Sequence, residues 1–142
     1  MKRTLLVVAA VGLCAGLFAL AQDQDNEKAE DRDRVFEMRT YTAAEGKLPA
    51  LHDRFREHTN KLFRKHGMQI IGYWVPSEEP KSQNTLIYIL AFPSKEACRK
   101  SWDGFRKDPV WLKAKSDSEV NGKLVDKVES VFLNPTDYSP IR

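Results

Sequence analysis

Residues 85–92 read TLIYILAF. In an extended chain Leu86, Tyr88, Leu90 and Phe92 fall on one side and Ile87, Ile89 and Ala91 on the other, so this is a strand with two apolar faces. Each face needs cover. Residues 76–84 (PSEEPKSQN) ahead of it form a loop of breakers, and residues 68–75 (MQIIGYWV) form another strand. Further back, residues 35–41 (VFEMRTY) alternate: Phe36, Met38 and Thr40 point one way, Val35, Glu37, Arg39 and Tyr41 the other. After a turn at 43–46, Leu48, Leu51, Phe55, Thr59, Leu62 and His66 recur at three- and four-residue spacing. This predicts a five-turn amphipathic helix over 47–66, with Pro49 in its first turn and Gly67 past its end.

On the other side of the central strand, Ser94 is an N-cap and Ala97, Cys98, Trp102 and Phe105 mark the inward stripe of a second helix, which Gly104 weakens. Asp108-Pro109 predicts a break and restart carrying Val110, Trp111 and Ala114. Asn121-Gly122 turns the chain into a fourth strand over 124–133 (LVDKVESVFL), followed by a Pro-bounded tail over 134–140 (NPTDYSP). The order strand, helix, strand, strand, helix, strand is the split βαβ, a ferredoxin-like α+β fold (βαββαβ) with a four-stranded antiparallel sheet. Both helices then lie on one face. The other face, apolar in the central strand, is expected to be covered by a second copy, making a dimeric α/β barrel.

Lys2 and Arg3 precede an unbroken apolar run over 5–21 that ends in Ala19-Leu20-Ala21, the pattern of a secretory signal over residues 1–21. Residues 22–34 (QDQDNEKAEDRDR) contain Ala29 as their single apolar residue and read as a disordered charged linker before a domain over 35–142. An exported protein, periplasmic or extracellular, is expected, with membrane attachment only through an uncleaved signal. The whole chain has 23 Lys+Arg against 20 Asp+Glu, but two of the bases are Lys2 and Arg3, so the domain and linker carry net +1. With no run of like charge, nucleic-acid binding is not indicated. Cys98 is the lone cysteine outside the signal and is expected as a small buried hydrophobe.

Four motifs occur in order: Arg39-Thr40-Tyr41, Gly72-Tyr73-Trp74, Asp108-Pro109-Val110-Trp111, and Asn134-Pro135-Thr136-Asp137-Tyr138-Ser139-Pro140. Over residues 35–142 the chain resembles the NIPSNAP family, the terminal heptad being the most specific of the four. Tyr138 and Val110 stand where Phe and Glu are common in that family. The resemblance implies the dimeric α/β barrel superfamily but no settled chemistry. Neighbouring branches of that superfamily include cofactor-free monooxygenases, haem-binding or haem-degrading proteins and lactone isomerases, an analogy of fold alone.

The three histidines all fall on the first helix. Relative to its stripe His66 lies on the line, His52 about 40° to one side and His58 about 80° to the other, so they do not converge on a metal ion. His66 reads as a cation at the helix C-terminus. His52 is the candidate catalytic base or haem ligand. Arg39, Tyr41, Tyr73, Trp74, Trp102 and Trp111 are the candidate lining of a pocket for a flat apolar or aromatic ligand. Glu37 and Arg39 share a strand face, and Glu129 on the fourth strand is expected to reach them, as a registry device in a dimer interface or as an acid–base pair. Without G-x-S-x-G, G-x-G-x-x-G or P-loop sequences, neither a serine hydrolase nor a nucleotide cofactor is expected, and no other cofactor is called for. The leading expectation is a homodimeric binding or interaction module. The alternatives are a cofactor-independent monooxygenase or isomerase using His52, or a haem-associated protein.

Overall fold

The computed structural model describes residues 34–141. The expected signal segment 1–21 and all but the last residue of the linker 22–34 lie outside the described residues. Strand β1 (Val35–Ala43) leads into a continuous helical stretch made of α1 (Leu48–Arg54), a π-helical turn (Phe55–Thr59) and α2 (Asn60–Lys65). Strand β2 (Gln69–Trp74), a 3₁₀ turn (Lys81–Gln83), β3 (Thr85–Phe92), α3 (Lys95–Lys107), α4 (Pro109–Ser118) and β4 (Val125–Leu133) follow. The sheet order is β2-β3-β1-β4, with every pairing antiparallel. This is the ferredoxin-like arrangement, the protomer fold of dimeric α/β barrels.

Local chemistry places the boundaries. Ser94 Oγ accepts from Ala97 N (3.1 Å) to start α3, and Asp108 Oδ1 accepts from Val110 N (2.9 Å) to start α4 behind Pro109. Gly67, at φ +73°, ends α2 in the left-handed conformation, with Met68 N bonding back to Phe63 O (2.9 Å). The π turn is the departure from the sequence reading. It inserts one residue into the helix, and Thr59 Oγ1 donates to the Arg54 carbonyl (3.2 Å) that loses its ordinary partner. The tail turns back at Ser139 N to Thr136 O (3.0 Å) and leaves Tyr138 83% exposed.

Strand register decides which face carries what. Val35, Glu37, Arg39 and Tyr41 stand beside Phe92, Leu90, Tyr88 and Leu86, the side on which Leu51, Phe55, Phe63, Trp102 and Phe105 of the helical layer pack. The space under the helices is filled by rings. Tyr88, fully buried, meets Tyr41, Phe55, Phe63 and Tyr73 at centroid distances of 5.2, 5.4, 5.8 and 5.7 Å. A bulge between Ile70 and Gly72 lets both Ile70 and Tyr73 join that side, which strict alternation would forbid. The far face holds Met38, Ile87 and Ile89 at its centre, with Trp74 and Val131 toward the edges.

Candidate functional site

The seven sequence candidates separate into two groups. His52 and Tyr73 line a cavity of about 240 Å³ at the β2 edge, together with Phe55, Leu86 and Val75, and Trp74 borders it at the strand edge with its ring lying over Gly72 on the far face. Arg56 and Asn60 complete it. His52, Arg56 and Asn60 lie four residues apart on one face of the helical stretch, which the π turn interrupts between His52 and Asn60. Tyr73 Oη donates to Asn60 Oδ1 at 2.6 Å, leaving the phenol oxygen as an acceptor and the Asn60 amide nitrogen as a donor. Burial pushes the Tyr73 hydroxyl well above its ordinary range, so it stays protonated. Burial, reinforced by the Arg56 charge, moves His52 below its ordinary 6.5, so its imidazole is neutral at pH 7.

The second group lies on the same face, toward β1, α3 and α4. Arg39 stacks on Trp102, its guanidinium carbon 4.2 Å from the ring centroid, and stands 5.7 Å from the Tyr41 ring. The Tyr88 hydroxyl donates to Tyr41 (2.9 Å), which ties Tyr41 into the core. Trp111 stacks on Phe105 (4.5 Å) under the Arg54 guanidinium (5.2 Å), and Arg54 itself is buried and paired with Glu119 at 2.8 Å. Arg56 and Asn60 are cavity residues that the sequence did not single out. Each carries a polar group on a helix whose apolar stripe gave no hint of which way it would turn.

Glu37 faces the helices rather than a far-face interface, and Glu129 does not reach it. Glu129 stands beside Thr40, on the opposite side of the sheet, whereas Ser130 donates to Glu37 Oε1 at 2.5 Å. Trp102 Nε1 donates to Glu37 Oε2 (2.6 Å), and the Cys98 thiol lies 3.8 Å from the same oxygen. Burial and that carboxylate push the Cys98 thiol up to about 11, which keeps it an unreactive, buried group.

His66 is held structurally. Its Nε2 and Lys65 Nζ both lie 2.7 Å from Asp108 Oδ2, and these contacts hold the Asp108 carboxyl well below the usual carboxylate range. Its ring occupies the space above Gly104, where an added Cβ would come 2.8 Å from Nδ1. A larger groove, about 490 Å³, runs past His66 between Lys65, Lys100, Ser101 and Lys107, but its lining residues are mostly charged and it is more open than the β2-edge cavity. The smaller cavity, apolar with convergent polar groups, is the better ligand site.

The NIPSNAP family profile matches residues 36–140, the whole of the fold just described. The chain belongs to the NIPSNAP family. A NIPSNAP family protein of unknown function from Agrobacterium tumefaciens is 23% identical, with a TM-score of 0.67 over 78% of this chain and 96% of that one. A second from the same species is 25% identical, with a TM-score of 0.67 over 77% and 99%. SnoaB of Streptomyces nogalater, a cofactor-independent oxygenase, shares the fold at 16% identity, with a TM-score of 0.52 over 76% and 98%. Comparison with curated proteins finds no match.

Proposed function

We propose that this NIPSNAP protein is an exported, homodimeric binding module that holds a small flat apolar or aromatic molecule in the β2-edge cavity. The observation that carries this reading is the Tyr73–Asn60 hydrogen bond set into an apolar recess beside a neutral His52. These groups offer an acceptor, a donor and an imidazole to a ligand's single polar substituent, while Phe55, Leu86 and Val75 receive its body. At about 240 Å³ the cavity lies below the roughly 300–1,000 Å³ usual for small-molecule pockets, which favours one or two fused rings. The dimer is supported by the far face, where Met38, Ile87 and Ile89 form an apolar centre that the chain's own helices do not cover. Export is supported by the leader-like residues 1–21.

The test is a titration with 2-naphthol followed by NMR. Saturable shifts at His52, Asn60 and Tyr73, lost in Val75→Trp, support the reading. Shifts confined to other residues, or none up to millimolar probe, refute it. His52 also supports a catalytic version, because a neutral imidazole at the cavity wall can take a proton from an acidic phenol. In that case the chain consumes oxygen with a phenolic substrate, as a cofactor-independent oxygenase would, and His52→Gln abolishes the uptake. A haem-associated role also rests on His52, and a Soret band that is identical in His52→Ala removes it.

A further inference from the structure

We propose a second ligand site, apart from the β2-edge cavity: the trough between α3 and β4, where Arg39 stacked on Trp102 takes a small organic carboxylate with an apolar body. Strand β4 is an edge, and its side chains toward the helical layer are left uncovered. Val128 and Phe132 are 43% and 48% exposed. Register sets Val128, Ser130 and Phe132 beside Tyr41, Arg39 and Glu37, so an apolar, a polar and an apolar position line one side of the trough, with Arg39 on its inner wall.

The Arg39 guanidinium is placed but not satisfied. Trp102 at 4.2 Å and Tyr41 at 5.7 Å hold its plane. Glu37 is its charged neighbour, yet Oε1 stands 3.8 Å from Nε, beyond hydrogen-bond distance. The Glu37 oxygens are already engaged by Trp102 and Ser130. Arg39 makes no hydrogen bond to any described residue, its Nε is buried without an acceptor, and the side chain is 17% exposed. A rigid fork of N–H donors backed by an indole and partly exposed matches the two oxygens of a carboxylate. Lys95, 5.7 Å from the Phe132 ring centroid, adds a cation at the end of the trough. Glu37 Oε1 lies 3.8 Å from Nε, so a dianion meets more repulsion there than a monoanion does, and the exposed Val128 and Phe132 side chains favour an apolar body over a polar one.

The probe pair is 2-naphthoate and its neutral analogue 2-naphthamide, titrated while the Trp102 indole N–H is followed by NMR. The expected result is about tenfold or greater preference for the carboxylate, with shifts at Trp102 and Ser130. Arg39→Gln brings the ratio to about one, and Arg39→Lys, which keeps charge without the fork, falls between. Val128→Glu, at an exposed position that leaves the fold alone, weakens naphthoate and decides the matter if Arg39→Gln does not fold. Naphthoate shifts at Trp102 and Ser130 without shifts at His52, Asn60 and Tyr73 separate this site from the β2-edge cavity. Equal affinity for the two probes, shifts at His52 and Asn60 instead, or no saturation up to millimolar naphthoate overturns the proposal.

Discussion

Replacing Trp102 by Phe tests whether the buried Glu37 carboxylate is held by the donors around it. Glu37 is 5% exposed, and its Oε2 accepts the Trp102 indole N–H at 2.6 Å. Phenylalanine keeps the ring contacts with Phe63 and Phe105 (5.6 Å each) but removes the donor. A hydrogen bond to a carboxylate contributes about 1.5–3 kcal/mol. The smaller ring adds a cavity cost of about 1 kcal/mol. The expected loss is therefore about 2.5–4 kcal/mol, or about 10–15 °C in Tm for a domain of this size. Urea denaturation of Trp102→Phe, Glu37→Gln and the double variant gives the coupling directly. Because Glu37→Gln keeps the volume but not the charge, the two changes should couple by about 1–2 kcal/mol. A Trp102→Phe loss under about 1 kcal/mol, or additivity within about 0.5 kcal/mol, would refute the assignment of that bond.

Gly104→Ala should destabilise the protein although alanine favours a helix, because its Cβ meets His66 Nδ1 at 2.8 Å. In a His66→Ala background the sign should reverse to a gain of about 1 kcal/mol, read by thermal melts. Ile89→Lys should leave circular dichroism intact and yield a monomer in light scattering. Tyr88→Lys, which buries a charge in the ring cluster, should abolish folding. An NMR titration should place the His52 midpoint below 6.5, and Arg56→Ala should raise it without restoring it fully, since burial is the larger cause. The sign follows from linkage. The folded state binds fewer protons at His52 than the unfolded one, so its contribution is whole above pH 6.5 and declines as pH falls toward the folded midpoint.

Much of the architecture was legible because it is written in short periods. The alternation at Val35 to Tyr41 and the two apolar sides of β3 are local facts about side-chain direction. Ser94 and Asp108 announced two helix starts through their own side-chain chemistry. The π turn was not legible, since Phe55 to Thr59 fits an ordinary helix as well, and the Thr59 hydroxyl bonded to the Arg54 carbonyl supports it. Gly104 reads as a weak point in α3, but its missing side chain is what admits His66.

The residues themselves determined that this chain alternates strands and amphipathic helices in a ferredoxin-like order, and the four motifs determined its family. Tertiary structure decided the partnerships: Glu37 with Trp102 and Ser130, 65 and 93 residues away, and Arg39 with the Trp102 indole as well as with Glu37. It also decided that Leu86 and Tyr88, not Ile87 and Ile89, face the helices. The physical reason is that strand and helix periods come from neighbouring backbone. Register and sidedness come from how distant surfaces bury one another, and a shift of one residue exchanges every face.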